Sequence, residues 1–302
     1  MPKLALRGEL LLFITALIWG TSFVAQRVGM EHIGPFTFTA TRFLVGALSL
    51  LAFILVTRAF APALKPSAPA ASADLLKGGL ACGLALFLAI SFQQFGIQYT
   101  SAGKAGFITA LYILLVPVFG LFLRKRVSRK LWLGVALAVA GLYLLTVTEG
   151  FSIGSGDLIV LGGTVFWAVH ILVIDHFAPK VDASKLSFLQ FFIAGAISAV
   201  VAGLFETVEF GAILKSAAPI LYAGIVVVGV AYTLQVFGQK TAHPSVAAII
   251  LSLESVFAVL SGMLLLGEVM TAREIAGCVL MFAAVLIAET KPQPQPTPSG
   301  AA

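Results

Sequence analysis

Apolar residues lie along the chain in long blocks that are separated by short polar or basic segments. A helix needs about 20 apolar residues to cross roughly 30 Å of hydrocarbon at 1.5 Å per residue. The blocks have this length, and they predict ten membrane-spanning helices at approximately 9–28, 35–57, 76–98, 104–123, 130–148, 156–177, 185–205, 217–238, 245–267 and 273–289. We therefore expect an all-α integral membrane protein.

Composition supports this class and excludes a soluble globular protein. Of 302 residues, 60% are hydrophobic and 11% are charged, which is too few charged side chains for a surface in water. The loop at 58–74 and the tail at 290–302 are rich in Pro, Ala and Ser, which predicts a flexible loop and a disordered cytoplasmic end. The first block lacks a small-residue cleavage site and is too long for a signal peptide, so we expect it to stay as a helix.

The distribution of Lys and Arg predicts the orientation, because cytoplasmic loops accumulate basic residues. If the N-terminus is cytoplasmic, fourteen of them lie on the cytoplasmic side, at positions 3, 7, 58, 65, 77, 124, 125, 126, 129, 130, 180, 185, 240 and 291. Four lie on the other side, at positions 27, 104, 215 and 273. We therefore expect an inner (plasma) membrane protein with both termini cytoplasmic. Anionic lipid and this insertion rule account for the net charge of +6 without a nucleic-acid partner.

No pattern typical of catalysis or metal binding occurs in the sequence. The four histidines, at 32, 170, 176 and 243, form no HExxH spacing, and no nucleophile stands beside a base. Cys82 and Cys278 lie inside predicted helices far apart in sequence, as small apolar fillers do. The filter sequence or polar rings of a channel are also missing. We expect neither an enzyme nor a channel, and no cofactor or metal.

The chain contains an internal duplication. Three short matches occur in the same order in both halves: "LIWGTSF" (17–23) with "VFWAVHI" (165–171), "FLVGALS" (43–49) with "FIAGAIS" (192–198), and "SFQQFG" (91–96) with "TLQVFG" (233–238). They predict two five-helix units, at 9–148 and 156–289. Because five is odd, the second unit enters the membrane from the opposite side. Such inverted repeats place a substrate path at their interface near the membrane midplane.

Four segments resemble the EamA family of the drug/metabolite transporter superfamily: "LIWGTSFVAQ" (17–26), "TATRFLVGALSLL" (39–51), "YTSAGKAGFITALYILLVPVFG" (99–120) and "SLESVFAVLSGMLLLGE" (252–268). The similarity extends over about residues 9–289. The resemblance implies ten helices, a central cavity between two repeats, and export or exchange of small metabolites, often amino acids. The sequence departs from the repeat where Glu268 follows the ninth helix, since basic residues 124–126 occupy the matching end of the fourth.

Polar and aromatic residues recur at spacings of three and four within several predicted helices, which puts them on one helical face. We predict that a substrate path is lined by Trp19, Ser22, Gln93, Gln94, Tyr112, Trp167, His170, Tyr232 and Gln235. The alternative for the hydroxyls and amides is hydrogen bonding between packed helices, and for Trp19 and Trp167 it is packing alone. For His170 it is a bond to one buried neighbour.

Three charged residues require a separate explanation, because a charge at the centre of a membrane helix costs roughly 2.5 to 3.5 kcal/mol. Glu254 lies in the ninth helix, where the first repeat has Tyr112, and it should face the interior as a coupling acid or as a structural partner of Arg42, His170 or Tyr232. Arg42 lies well inside the second helix, and we expect it to contact a carboxylate or helix ends in a gating or structural role. Lys104 begins the fourth helix, and for it too we expect either a gating or a structural role.

The predicted substrates follow from the positions of the charges. A phosphorylated substrate should require clustered Arg or Lys in the late helices, and a bulky cationic drug should require an acid in the middle of the first helix, where Glu9 lies only at the edge. We predict a membrane transporter of small organic metabolites, an exporter or facilitator of neutral amino acids, aromatic ones included. Another metabolite class, such as a cationic drug or nucleotide sugar, remains the alternative.

Overall fold

The structure is a computed structural model that describes residues 2–60, 72–100, 102–125, 127–146, 153–266 and 271–289. Within these ranges every regular element is a helix. The α-helices are α1 (Pro2–Gly29), α2 (Pro35–Phe60), α3 (Ser72–Ile97), α4 (Ala102–Ala110), α5 (Tyr112–Phe122), α6 (Arg129–Thr146), α7 (Ser155–Phe177), α8 (Ala183–Phe205), α9 (Phe210–Lys215), α10 (Ala217–Leu221), α11 (Thr233–Gln239), α12 (Pro244–Leu251), α13 (Glu254–Leu266) and α14 (Ala272–Glu289). A π-helix, Tyr222–Tyr232, connects α10 to α11. The ends of the predicted loop at 58–74 belong to α2 and α3 instead. Its residues 61–71, Glu268 and the tail at 290–302 lie outside the described residues.

Eight segments of the described chain are long and apolar enough to cross a membrane: Arg7–Gly29, Pro35–Thr57, Ala73–Ile97, Ala105–Phe122, Ser155–Phe177, Ala183–Phe205, Ala217–Gln239 and Pro244–Ser261. Large apolar side chains on their outer faces, such as Leu48 and Phe53, are more than 60% exposed. Such surfaces are stable against lipid and unstable in water. The chain is therefore an integral, multi-pass membrane protein.

The remaining two predicted blocks, 130–148 and 273–289, form α6 and α14, which are not among these eight segments. The two helices pack against each other at a pair of glycines. A Cβ atom on Gly141 would lie 2.8 Å from the carbonyl oxygen of Gly277, and one on Gly277 would lie 2.7 Å from that of Gly141. Only glycine permits this backbone approach, which small residues commonly provide between membrane helices.

Two of the apolar segments are broken in the middle. Leu111 interrupts the helix between α4 and α5, and Ser252 with Leu253 interrupts it between α12 and α13. At both breaks the backbone tightens into i→i−3 hydrogen bonds, 3.2 Å from Leu111 N to the Ile108 carbonyl and 3.1 Å from Leu253 N to the Ile250 carbonyl. The residue that follows each break is a predicted site residue, Tyr112 in one case and Glu254 in the other.

The π-helix is a departure from the regular helix that hydrophobicity predicts at 217–238. Its wider turns leave fewer backbone bonds within the helix and are rare outside functional sites. Thr15 of α1 donates its hydroxyl to the Ala231 carbonyl oxygen at 3.0 Å, so a neighbouring helix contributes to the bonding of this segment. Gly224 lets α2 approach, since a Cβ atom there would lie 2.9 Å from the Arg42 carbonyl oxygen. The π-helix thus holds α1 and α2 together.

Opposite ends of the helix bundle are joined by different polar contacts. At one end Glu206, which follows α8, accepts hydrogen bonds from the Phe36 and Thr37 amides at 2.8 Å and so caps the start of α2. At the other end Lys125, which follows α5, forms an ion pair with Asp175 in the last turn of α7. We call these the Glu206 end and the Lys125 end.

Candidate functional site

A cavity of about 340 Å³, counting its open side, lies between the helices. It receives side chains from both halves of the chain, from α1, α2, α3, α4, α5, α7, the π-helix and α13. Its lining consists of Trp19, Ser22, Phe23, Gln26, Arg42, Gln93, Thr109, Tyr112, Trp167, Val227, Tyr232 and Glu254. The lining combines aromatic, amide, hydroxyl and charged groups, which is typical of a site that binds a small organic molecule.

Three aromatic rings form one wall of this cavity. The ring centroids of Trp19 and Tyr232 are 4.7 Å apart, and those of Trp19 and Trp167 are 6.0 Å apart. Tyr232 and Trp167 stack at 6.2 Å with an interplanar angle of 15°. The indole N–H groups of Trp19 and Trp167 are buried without a hydrogen-bond partner in the described chain. The wall therefore combines apolar ring faces with two indole N–H groups that are unbonded in this conformation of the described chain.

Amides and hydroxyls form a second part of the lining. Gln26 donates to the Ser22 hydroxyl at 3.0 Å, and its own carbonyl oxygen accepts from Gln94 of α3 at 2.5 Å. Gln93 donates to the Thr109 hydroxyl at 3.2 Å. These bonds connect the C-terminal halves of α1 and α3 to α4. The cavity is thus nearer the Glu206 end than the Lys125 end.

Two residues of opposite charge complete the cavity. Arg42 is 1% exposed and Glu254 is 4% exposed, and the two form no ion pair with each other. Arg42 Nε and Nη2 and Glu254 Oε1 have no hydrogen-bond partner in the described part of the chain. The expected carboxylate partner of Arg42 is therefore not found there. Buried ionisable groups are normally paired, so a basic and an acidic side chain without partners on a single cavity are exceptional.

The structure brings together most of the residues that the sequence predicts for a substrate path. Trp19, Ser22, Gln93, Tyr112, Trp167 and Tyr232 all line the cavity, and so do Arg42 and Glu254. Gln94 lies directly behind this lining through its bond to Gln26. Lys104 belongs to α4, and its side chain is outside the described residues.

His170 and Gln235 do not line the cavity. His170 is buried, and its Nε2 lies 2.9 Å from the side-chain Oε1 of Gln190. In this conformation it therefore has the alternative arrangement, a bond to one buried neighbour. Gln235 is fully buried, with neither amide atom hydrogen-bonded within the described chain. Both residues are polar groups on the side of the aromatic wall toward the Lys125 end.

Four lining residues were absent from the predicted site. Gln26 and Thr109 carry a detectable signal, because Gln26 follows Ser22 by four residues and Thr109 precedes Tyr112 by three, on the same helical faces. Phe23 and Val227 are apolar residues among many, and nothing in the sequence distinguishes them. Their position depends on which helices become neighbours.

The Lys125 end is closed by bonded groups. Besides the Lys125–Asp175 pair, Gln239 of α11 donates to the Ile171 carbonyl oxygen of α7 at 2.9 Å. His243 caps α12 by accepting from the Ser245 amide at 3.3 Å. Burial lowers the pKa of His243, Lys125 lowers it further, and Asp175 partly opposes them. His243 is therefore held neutral beside the ion pair.

Within the described residues, no three His, Cys, Asp or Glu side chains are grouped so that they could hold a metal ion. The cavity instead combines aromatic rings, amide and hydroxyl groups, and one basic and one acidic side chain that form no ion pair with each other.

Comparison with known proteins identifies the class. The profile of the EamA-like transporter family matches residues 6–147 and again residues 154–290. An "uncharacterized transporter" of Archaeoglobus fulgidus is 33% identical over 283 residues, which cover 93% of this chain and 85% of the relative. The "uncharacterized inner membrane transporter YedA" of Escherichia coli K12 is 29% identical over 292 residues, covering 91% of this chain and 89% of YedA.

A solved crystal structure has the same fold, with a TM-score of 0.76 over 93% of this chain and 97% of the other at 21% sequence identity. The family matches together account for nearly every described helix, and the relatives carry transporter names. They point to a transporter rather than an enzyme. The chain belongs to the EamA-like transporter family.

Proposed function

We propose that this transporter moves small zwitterionic metabolites, with neutral amino acids as the favoured class and aromatic ones included. One observation carries the proposal: a single cavity combines an aromatic wall, Trp19, Trp167 and Tyr232, with one unpaired basic and one unpaired acidic side chain. A zwitterion presents the complementary carboxylate and ammonium groups. The aromatic wall suits an apolar side chain or stacks on a ring.

We further propose that the chain is built from two inverted five-helix repeats, 9–148 and 156–289, which move against each other. The family profile matches each half separately. The helix breaks support the same arrangement, because Leu111 and Leu253 are 142 residues apart, the offset at which Gln93 matches Gln235 in sequence. Broken helices near the membrane midplane are typical of substrate sites in inverted-repeat transporters.

Helix packing gives independent support for the repeats. From the first half α3 packs on α7, and from the second half the matching π-helix and α11 pack on α1. The contact of α3 with α8 matches that of the π-helix with α2. The contacts of α4 and α5 with α7 match those of α12 and α13 with α1. In each of these pairs, replacing every helix by its counterpart in the other half converts one contact into the other. A pseudo-two-fold relation of this kind allows one half-site to close while the other opens.

In this proposal the Lys125 end faces the cytoplasm, as the distribution of Lys and Arg predicts. The cavity near the Glu206 end then opens to the outer side of an inner (plasma) membrane. Gln235, the repeat counterpart of Gln93, would line the cavity when the cytoplasmic side opens. Its unbonded amide supports this role, because a buried amide without partners is costly and becomes satisfied when it meets water or substrate. Export or facilitated diffusion of amino acids uses both conformations.

Flux measurement tests the proposal. Purified protein in liposomes should move labelled phenylalanine and leucine, with and without an imposed pH gradient, above the rate of protein-free liposomes. Nucleotide sugars and cationic dyes serve as the comparison panel, since the cavity contains one arginine and no described cluster of basic residues. Movement of the nucleotide sugars or dyes but of no amino acid would refute the proposed substrate class.

A further inference from the structure

Arg42 is held in the cavity wall by aromatic rings. The guanidinium carbon lies 5.1 Å from the centroid of Phe38 and 5.3 Å from that of Phe43. Both rings are buried, and Arg42 is among the largest fully buried side chains of the protein. Cation–π contacts at these distances fix the guanidinium, but they leave its N–H groups free for other partners. The side chain is therefore oriented without being neutralised.

The free N–H groups of Arg42 belong to a permanent charge. Arginine stays protonated in proteins, whereas a buried carboxylic acid or lysine can lose its charge instead. Nε and Nη2 lie side by side in the planar fork that matches the two oxygens of a carboxylate, and both are unbonded in the described chain. A fixed, desolvated cation with this edge free calls for an anionic partner that the described chain does not supply.

The other charged and titratable groups on the cavity restrict that partner. Glu254 is the one acid among the lining residues, and it forms no ion pair with Arg42. Tyr232 is close enough to interact electrostatically with both Arg42 and Glu254. The lining contains no second basic residue. A single guanidinium matches the single charge of a carboxylate, whereas a phosphate would lack a second cation.

We propose that Arg42 binds the carboxylate of the transported molecule through its guanidinium group and thereby selects substrates that carry a carboxylate. The inference rests on the proposed function and deepens it, because it assigns Arg42 to substrate binding in place of a gating or structural role. Phe38 and Phe43 act as positioning residues that hold the guanidinium in the cavity wall.

Binding to a set of matched ligands tests this assignment. The chain has three tryptophans, so Trp132→Phe leaves Trp19 and Trp167, both on the cavity, as the fluorophores. In this background, quenching is titrated with L-phenylalanine, with 3-phenylpropionate, which lacks the amine, and with L-phenylalaninamide, which lacks the carboxylate. We expect phenylalanine and 3-phenylpropionate to bind, and the amide to bind at least roughly tenfold more weakly.

Arg42→Gln should then remove the preference. Affinity for both carboxylates should fall roughly tenfold to a hundredfold, with little change for the amide, because hydrogen bonds to a charged group are lost. Arg42→Lys should give an intermediate loss, since it keeps the charge but not the planar fork. Arg27→Gln is the matched control, because Arg27 is an exposed cation at the end of α1 on the same side of the bundle.

Several outcomes overturn the inference or separate it from the proposed function. Equal binding of phenylalanine and the amide before any change at Arg42 refutes it without needing a folded variant, as does binding of neither carboxylate. Amino-acid flux that Arg42→Gln leaves unchanged refutes the inference while the proposed function stands. Arg42-dependent binding of 3-phenylpropionate without any phenylalanine flux supports the inference while the proposed function fails.

Discussion

Two basic side chains at different depths of the bundle differ in what they contact. Lys125 forms an ion pair with Asp175, next to a capping histidine, and its side chain is 32% exposed. Arg42 is deeper, at 1% exposure, and has aromatic rings but no carboxylate as neighbours in the described chain. The more buried cation is thus the one without a protein counter-ion.

This difference indicates different purposes. A partly exposed pair contributes little free energy of folding on its own, but it connects the end of α5 to α7. A buried, unpaired cation lowers stability, and a protein retains such a group where a ligand completes it. In the described chain the cation at the Lys125 end has a protein counter-ion, whereas the cation on the cavity has none.

The unpaired acid of the cavity gives the largest expected effect. Glu254→Gln keeps the shape of the side chain but removes the titratable carboxyl group, so we expect amino-acid flux in liposomes to fall by roughly tenfold or more. We also expect the response of the flux to an imposed pH gradient to disappear, because glutamine cannot bind and release a proton as a carboxyl group does. Flux is measured at matched protein density with the gradient present and absent.

Glu31→Gln is the control for this change, since Glu31 is an exposed acid in the loop after α1. It should leave both the flux and its pH response unaltered. An unchanged rate and pH response in Glu254→Gln would show that Glu254 has a structural role only. The contrast between the cavity and the Lys125 end would then rest on Arg42 alone.

The ion pair gives the next largest effect. Asp175→Asn leaves Lys125 without its partner and should loosen the Lys125 end, so buried groups behind it become accessible more often. In a background with Cys82→Ala and Cys278→Ala, we expect Gln235→Cys to react with a membrane-impermeant thiol reagent about three to ten times faster when Asp175→Asn is added, equivalent to roughly 0.7 to 1.4 kcal/mol.

Two comparisons make the labelling result specific. Gln93 lines the cavity, and we expect the change at Asp175 to leave the labelling rate of Gln93→Cys unaltered. Asp182→Asn removes a negative charge at the N-cap of α8 but retains an acceptor for the Lys185 amide, so it should not alter the labelling of Gln235→Cys. Equal labelling of Gln235→Cys alone, with Asp175→Asn and with Asp182→Asn would show that the ion pair does not close the Lys125 end.

The smallest expected effect concerns pH and the histidine beside the pair. Burial lowers the pKa of His243, so the unfolded chain binds its proton more readily than the folded chain does. Stability from neutral His243 is therefore present above the ordinary pKa of about 6.5 and is lost as pH falls below it. We expect the thermal unfolding midpoint to fall between pH 7 and pH 5.5.

His243→Asn should reduce that fall by roughly 2 °C, because asparagine keeps an acceptor for the Ser245 amide but does not titrate in this range. Lys180, an exposed residue in the turn after α7, supplies the matched control as Lys180→Gln. A pH dependence that is the same in His243→Asn and in the unchanged protein would contradict this account of the Lys125 end.

Sequence patterns predict much of the cavity because the spacing of residues along a helix and the cost of placing a charge in lipid are local properties. Trp19 and Ser22 are three residues apart and share a helical face in any fold. Glu254 must avoid lipid wherever its helix lies. By contrast, His170 has the same spacing from Trp167 as Ser22 has from Trp19, yet it bonds to Gln190 behind the lining. Spacing identifies a face, but it does not identify the helix that covers the face.

The sequence by itself determined that this chain is a helical membrane protein, where its apolar segments lie, and that its two halves are related. Those features follow from hydrophobic length and from residue identity along one segment. Only the tertiary structure decided that helices break at Leu111 and Leu253, that Tyr222–Tyr232 forms a π-helix, and that Arg42 has no counter-ion in the described chain. These depend on contacts between residues distant in sequence, where the backbone and charges adjust to neighbours that no local pattern specifies.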